Sequence, residues 1–262
     1  MARRKISEEL WVAWEPWLPA FAPSRKGGRR RSIDDRAVLN GILYALQTGI
    51  PWEDLPQALG SGSGMTCWRR LRDWQDAGVW ESLHLAMLTR LREHDRIDWS
   101  RASIDGSSVA SPRGPRDRAE PQGPRQARYK RHIIVDARGV PLAVAVSGAN
   151  RHESMVFDSL IDAIPAVPGL DGRPRKQPAK LHADKGYDYR RCREYLSERG
   201  ITARIARKGV ESKERLDRHR WVVERTHACF AGFGRLRVRF ERRLDIHMAA
   251  AIICSRFVDD LC

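Results

Sequence analysis

Apolar residues recur at helical spacing through the first hundred positions of the chain. The stretch "SEELWVAWEPWL" carries one apolar stripe, and Ser7 stands before it as the predicted N-cap. In "SIDDRAVLNGILYALQTG", Ser32 and Asp35 predict a capping-box-like start and Gly49 predicts the end of the helix. The first proline of "PWEDLPQALG" is typical of a first helical turn, so a further helix is predicted there.

Two more apolar stripes follow the glycine-rich segment "GSGSG". They lie in "MTCWRRLRDWQDAG" and "VWESLHLAMLTRLREH", and they bring the prediction to four or five short helices that end near residue 96. A short turn between the third and fourth helices is typical of a helix-turn-helix. We therefore predict a small helical DNA-binding domain over residues 1–97. The alternative is a bundle that merely packs on the rest of the chain.

The period of the apolar positions changes beyond residue 102. "ASIDGSSVA" and the two runs of "RHIIVDARGVPLAVAVSG" are strand-like, and "DARG" is the turn between those runs. "RHESMVFDSLIDAI" and "DYRRCREYLSERG" have helical spacing, "KLHAD" and "ITARIA" are strand-like, and the helix containing "RHRWVVERTH" comes last. The order β-β-β-α-β-α-β-α predicts an α/β (α+β) domain over residues 98–262, in which helices pack against a mixed sheet.

The charge of the chain narrows the kind of partner. Lys and Arg number 48 against 33 Asp and Glu, which gives a formal net charge of +15 at pH 7. The guanidinium group matches phosphate oxygens in two-point contacts, so this excess favours nucleic acid. Ribosome association and a plain solvated surface remain open. The cysteines and histidines form no C-x-x-C or H-E-x-x-H pair, which argues against zinc. Without a bilayer-length apolar run, a cytoplasmic protein is predicted.

Three carboxylates stand at positions where the predicted elements can bring them together. Asp105 lies in the first strand, Asp184 ends the fourth strand, and Glu224 lies on the last helix. They meet if those two strands are neighbours and the helix packs over them. Clustered carboxylates repel one another, and a divalent cation such as Mg²⁺ relieves that repulsion and accepts phosphate oxygens. The alternatives are structural: Asp105 and Asp184 as caps, and Glu224 paired with Arg220 one turn away.

Basic residues in three places are candidates for DNA contact. Those of "MTCWRRLRDWQDAG" could enter a groove, those of the Pro/Gly-rich loop "SPRGPRDRAEPQGPRQARYKR" could grip the backbone beside the acids, and a lysine follows Asp184. A solvated linker is the alternative for the loop. The candidates in these three places are Arg69, Arg70, Arg72, Arg113, Arg116, Arg128, Lys130, Arg131 and Lys185. Two further candidates for DNA contact are Arg220, one turn before Glu224, and Arg235 beyond it.

Over nearly its whole length the chain resembles the DDE transposases of bacterial insertion sequences, in the family founded on insertion sequence five. The similar segments are "LQTGIPWEDLP" with "WRRLRDWQDAGVWE", and then "KRHIIVDARGVPLAVAVSGANRHES", "ADKGYD" and "RHRWVVERTHACFAGFGRLRVRFERR". The resemblance implies a ribonuclease-H-like catalytic domain in which Asp105, Asp184 and Glu224 are the catalytic, metal-binding triad. It also implies Mg²⁺ (or Mn²⁺) as cofactor, terminal inverted repeats and target DNA as partners, a homodimer or larger assembly, and a nucleoid-associated place in the bacterial cytoplasm.

The chain departs from the family pattern at several positions. Asp217 stands where tyrosine is usual, Ala231 where a basic or polar residue is common, and Gly234 where arginine is frequent. Glu153 replaces a common aspartate. We hypothesise that Arg235, three turns from the catalytic glutamate on nearly the same helix face, supplies the missing positive charge.

Three functions are compatible with these patterns. The favoured one is a transposase that cleaves DNA and joins strands. The second is a non-catalytic, transposase-derived DNA-binding regulator, which has no need for three converging acids. The third is a related metal-dependent nuclease that cuts without joining.

Overall fold

The structure, a computed structural model, describes residues 5–20, 33–111, 127–169, 172–207, 209, 213–241 and 243–255, and for residues 127–128 and 213–219 only the backbone. The α-helices within these ranges are α1 Glu8–Trp14, α2 Asp35–Thr48, α3 Gly64–Asp76, α4 Val79–Glu93, α5 Phe157–Asp162, α6 Arg190–Glu198, α7 Lys213–Gly232, α8 Gly234–Arg237 and α9 Leu244–Ser255. None of these helices has the length and apolar character to cross a bilayer.

The predicted helix ends are confirmed at α1 and at the end of α2, but not at its start. The Ser7 hydroxyl accepts the Leu10 N–H, as an N-cap does. Gly49 ends α2 with a φ of 77°, a left-handed conformation that glycine adopts without strain. The N-cap of α2 is Asp34 rather than a capping box of Ser32 and Asp35, because its carboxylate accepts two backbone N–H groups. Ser32 itself lies outside the described residues.

The prediction of an α-helix over "PWEDLPQALG" is wrong. Two separate 3₁₀ turns, Trp52–Asp54 and Gln57–Leu59, occupy the segment. Pro56 explains the interruption, since proline has no N–H to donate and disfavours helical backbone in the residue before it. With that helix absent, the two helices joined by a short turn are α3 and α4, the fourth and fifth of the predicted series, with Ala77 and Gly78 between them.

Five strands form one mixed sheet in the described part of the chain, and they follow one another along the chain in the predicted order. Their order across the sheet is β3-β2-β1-β4-β5. The first three pair antiparallel, whereas β4 is parallel to β1 and β5 is parallel to β4. This is the ribonuclease-H-like topology. The strands are β1 Ala102–Ser111, β2 Ala127–Asp136, β3 Pro141–Gly148, β4 Lys180–Ala183 and β5 Thr202–Ile205.

The helices of the first hundred residues share one apolar core with the helices that end the described chain. Trp14, Trp74 and Trp80 pack edge to face at its centre, as expected for core tryptophans. The same cluster continues through Val223 of α7 to Ile246 of α9 and to one face of the sheet. The predicted division between residues 97 and 98 therefore stays a prediction, and the apolar packing runs across it.

A close backbone contact joins α2 to α8 and explains one departure from the family pattern. At Gly234 a Cβ would lie 2.6 Å from both the Cα and the amide nitrogen of Gly49, which leaves no room for a side chain. Arginine at this position is incompatible with this packing. The residue that ends α2 and the residue that begins α8 are thus both glycines because their backbones touch.

We expect Gly234→Ala to lower the free energy of unfolding by about 1–3 kcal/mol, the usual range for overpacking. Gly232→Ala is the matched control, since a Cβ there meets nothing within 4 Å. Urea unfolding of both variants measures the difference. Equal stability of the two variants would contradict the close contact.

Candidate active site

The sheet brings the first two predicted acids side by side. Strands β1 and β4 pair in parallel with Ala102 opposite Leu181 and Ser103 opposite His182. Continuing that register puts Asp105 beside Asp184, which directly follows β4. The Asp184 carboxylate accepts the backbone N–H of Gly186 at 2.8 Å, so the local turn holds it in place. The condition on which the meeting of these two acids depended, that the first and fourth strands are neighbours, is therefore met.

The third predicted acid approaches this pair through an arginine. Helix α7 packs on β1 and carries both Arg220 and Glu224 one turn apart. The Arg220 Nη2 donates to Asp105 Oδ1 at 3.2 Å and lies 3.9 Å from Glu224 Oε1. Glu224 is the most open of the three, with 55% of its side chain exposed, against 17% for Asp105. The arginine therefore links the two carboxylates across the strand–helix contact.

The electrostatics of Asp105 show that the acids interact. Its pKa is raised to about 6, chiefly because burial disfavours the charged carboxylate. Arg220 opposes that rise, whereas the charges of Asp184 and Glu153 add to it. A carboxylate in this position is stabilised by added positive charge, which is the condition that a bound cation satisfies.

The structure adds a fourth carboxylate that the sequence prediction did not include in the site. Glu153 begins a 3₁₀ helix, Glu153–Met155, soon after β3, and its Oε1 lies 3.3 Å from the Lys130 ammonium. At Gly186 a Cβ would lie 3.2 Å from Glu153 Oε2, so the carboxylate reaches the turn after β4. Its position in "NRHES" was noted only as a departure from the family, and spacing gave no further signal.

A buried histidine also faces Asp105. The His227 Nε2 lies 4.0 Å from Asp105 Oδ2, and its Nδ1 shares a 2.9 Å hydrogen bond with the Ser107 hydroxyl. Burial lowers the pKa of His227 to about 3, so its ring is neutral. A neutral ring adds no charge to the site and instead limits how the Asp105 carboxylate can turn. Its helical offset from Glu224, three residues along α7, was the available sequence signal.

The carboxylates of the site are the ligand type that suits a hard divalent cation, but their side chains do not converge on one point. Within the part of the chain that the structure describes, no three His, Cys, Asp or Glu side chains stand close enough together to hold a metal ion. Arg220 lies between Asp105 and Glu224, and Lys130 forms an ion pair with Glu153. Carboxylate oxygens are the ligands that Mg²⁺ and Mn²⁺ prefer. The residues present therefore suit the ion, with protein cations now beside the acids.

Three predicted DNA contacts are wrong because the arginines are buried and bonded within the protein. Arg70 pairs with Asp35 and packs on the Trp74 ring, and only 6% of the residue is exposed. Arg131 donates to the Leu236 carbonyl at 3.0 Å and lies over a phenylalanine ring. Burial lowers the pKa of Arg131 to about 10.

Arg235 is the third of these buried arginines. It donates to the Ile50 carbonyl and to the Glu241 carboxylate. The hypothesis that it supplies positive charge near Glu224 is wrong as well, because α7 ends at Gly232 and position 235 does not continue its face.

The remaining basic candidates differ in what the structure says of them. Arg69 is exposed on α3, while Arg72 is held by Asp73 and lies over the Trp68 ring. Lys185 is half-buried beside Asp184, and Lys130 and Arg220 contact carboxylates, so a phosphate contact is not confirmed for any of them. Arg113 and Arg116 lie outside the described residues, and the side chain of Arg128 is among those not described.

Family comparison assigns both parts of the chain. A family model described as "Putative transposase of IS4/5 family" matches residues 6–84, and one described as "Transposase DDE domain" matches residues 98–255. The chain belongs to the DDE transposase family. Use of a divalent metal ion follows from that membership, and the ribonuclease-H-like strand order agrees with it.

Two relatives come from one insertion element of Burkholderia cepacia. The "Insertion element IS402 uncharacterized 16.2 kDa protein" is 54% identical over 110 residues, which are 42% of this chain and 75% of that protein. The "Putative transposase for insertion sequence element IS402" is 48% identical over 135 residues. That alignment covers 52% of this chain and 61% of the relative, so less than two thirds of the second protein is matched.

Among solved structures, a pre-cleavage Mos1 transpososome matches over 97% of this chain and 85% of its own. The sequence identity is 10% and the TM-score is 0.32. A score this low carries no argument about geometry or function.

Proposed function

We propose that the chain is a DNA transposase that binds the terminal inverted repeats of its insertion sequence and catalyses metal-dependent DNA cleavage and strand transfer. The observation that supports this best is the pairing of Asp105 with Asp184 at neighbouring parallel strands, with Arg220 joining Asp105 to Glu224. A regulator that only binds DNA does not need an arrangement of acids that is energetically unfavourable. Burial of Asp105 beside two other carboxylates is unfavourable unless a cation compensates.

The proposed chemistry assigns a role to each acid. Mg²⁺, with Mn²⁺ as a substitute, would be held by Asp105, Asp184 and Glu224 and would supply an activated water and charge neutralisation at the phosphate. Asp105 must be ionised to take part, which its pKa of about 6 allows at neutral pH. The in-line displacement needs no nucleophile from the protein, so the chain contributes positioning and charge.

DNA binding is proposed to depend on basic surface around the acids. The net charge of +15 supports contact with a phosphate backbone. The residues we propose for it are Arg69 and Arg72 of α3, Lys185, and the loop residues Arg113, Arg116 and Arg128. Two copies of the chain, each holding one element end on the bacterial nucleoid in the cytoplasm, complete the proposal.

The decisive experiment incubates the full chain and Mg²⁺ with duplex DNA carrying the terminal repeats that flank its gene. We expect end cleavage and joined products from the wild type, and a loss of roughly a hundredfold or more in both for Asp184→Asn. Asp162→Asn is the matched control, since Asp162 forms an exposed ion pair with Arg199 at 3.0 Å and exposed pairs contribute little.

Each other outcome overturns the proposal in a specific way. Nicking without joined products would indicate a nuclease. Binding of the repeats with no cleavage in either metal would indicate the regulator. Full activity in Asp184→Asn would remove the acid pair from the chemistry.

A further inference from the structure

The Glu153 carboxylate lies close both to Gly106, which follows Asp105 within β1, and to Gly186, in the turn after β4 that begins with Asp184. At Gly186 a Cβ would lie 2.9 Å from Asp184 Oδ1 and 3.2 Å from Glu153 Oε2, so the two carboxylates flank one point. At Gly106, the neighbour of Asp105, a Cβ would lie 3.3 Å from Glu153 Cδ. Both glycines leave the space into which this glutamate extends. Glu153 therefore contacts the backbone beside each of the two strand acids.

A buried hydroxyl group provides a second, independent observation at the same place. Tyr187 is fully buried, and its Oη has no hydrogen-bond partner among the described residues. The pKa of Tyr187 is raised first by burial and then by the charges of Glu153, Asp105 and Asp184. An unsatisfied buried O–H costs about 1–3 kcal/mol. Tyr187 thus carries a buried, unsatisfied donor close to the charges of three carboxylates, and a water bound to a cation at this place would satisfy it.

Lys130 is the present counter-ion of Glu153. Its ammonium lies 3.3 Å from Glu153 Oε1, and about a quarter or less of each side chain is exposed. Arg220 has the same relation to Asp105 on the other side of the site. Lysine is a point charge on a flexible stem, so it can leave a carboxylate without disturbing the backbone.

We propose that Glu153 is a fourth acidic residue of the cation site and that Lys130 is its exchangeable counter-ion, displaced when a divalent cation binds. The inference rests on the proposed metal-dependent function. It assigns an active role to the position at which this chain carries glutamate in place of the family's common aspartate. The longer side chain is what allows the carboxylate to reach past Gly106 to the turn at Gly186.

The two residues of the pair are expected to change metal affinity in opposite directions. Titrating the DNA-free full chain with Mn²⁺, and following the free ion by electron paramagnetic resonance, measures that affinity directly. Glu153→Gln is expected to weaken Mn²⁺ binding about tenfold or more. Lys130→Gln removes the competing cation and is expected to tighten binding by up to about fivefold. Glu194→Gln, in an exposed pair with Arg190, is the control and leaves affinity unchanged.

A purely structural ion pair gives a different pattern. If the pair is only structural, substitution of either Glu153 or Lys130 lowers the thermal stability and leaves the Mn²⁺ affinity at the wild-type value, and this result would overturn the inference. Where Glu153→Gln does not fold, Glu153→Asp is expected to weaken Mn²⁺ binding, because its shorter side chain does not reach the turn at Gly186. Unchanged binding in Glu153→Asp, or weaker binding in Lys130→Gln, overturns the inference. A wild type that binds no Mn²⁺ overturns the proposed function itself. Equal Mn²⁺ affinities of the wild type and Glu153→Gln overturn only this inference.

Discussion

Asp105→Asn is expected to abolish DNA cleavage and, in metal-free buffer, to make the protein more stable than the wild type. The carboxylate of Asp105 is largely buried beside two other acids, and its pKa is about 6 against an ordinary value of 3.8. A raised acid pKa means that the folded state disfavours the ionised form. Asparagine keeps the shape of the side chain and removes the charge that burial and the neighbouring acids oppose.

The size and the pH window of this effect follow from the pKa shift. The rise of the Asp105 pKa from 3.8 to about 6 corresponds to roughly 3 kcal/mol, and this figure already includes the favourable contact with Arg220, so we expect a gain of at most about 3 kcal/mol. Because the folded pKa lies above the unfolded one, the contribution of Asp105 to stability is fully present below about pH 4 and is lost as the pH rises through about 6. The advantage of the asparagine variant is therefore complete at pH 8 and mostly lost near pH 4.

Urea unfolding at pH 8 and at pH 4, with a chelator present, measures both parts of this prediction. Asp162→Asn is again the control, because the pKa of exposed Asp162 is lowered and its replacement brings no gain at pH 8. An Asp105→Asn variant that is less stable than the wild type at pH 8 would contradict the assignment. It would mean that Asp105 is a structural partner of Arg220 and not a strained ligand.

The positions of the strand acids could be predicted from the sequence because they depend on local periodicity. "SIDGS" has an acid within a recognisable strand and "LHADKGYD" has one directly after a strand, and pairing of the two strands in parallel brings these positions together. Pro56 is a local signal as well, because a proline at this position divides the segment into two 3₁₀ turns. The family resemblance supplied the strand adjacency that periodicity alone left conditional.

The partners of the arginines could not be predicted in the same way. Arginine is the residue type expected on a DNA-binding surface, yet three of the candidates are bonded inside the protein: Arg70, Arg131 and Arg235. A guanidinium satisfies carbonyls and carboxylates as readily as phosphates, and the choice depends on tertiary contacts. Glu153 was missed for the same reason, since its approach to Asp184 depends on how the chain returns after β3.

Glu241→Leu is expected to be the most destabilising substitution outside the candidate active site. The Glu241 carboxylate accepts hydrogen bonds from Trp52 Nε1 at 2.9 Å, Trp68 Nε1 at 3.2 Å and Arg235 Nη1 at 2.8 Å, with 14% of its side chain exposed. Removing one member of a buried charged group costs about 3–5 kcal/mol, because the remaining charge stays buried without its carboxylate. Denaturant unfolding followed by tryptophan fluorescence gives the loss.

The double variant Arg235→Met/Glu241→Leu separates charge from packing. It is expected to be more stable than Glu241→Leu alone, since no uncompensated guanidinium remains, and additive losses would contradict this account.

The same experiment bears on the predicted division at residue 97. Trp52 and Trp68 precede this division and Glu241 follows it, so the hydrogen bonds of the Glu241 carboxylate join the helical part to the catalytic part. A single cooperative transition, lowered as a whole in Glu241→Leu, is expected when the two parts unfold as one unit. Two transitions, of which only one moves, would indicate an independently folding helical domain.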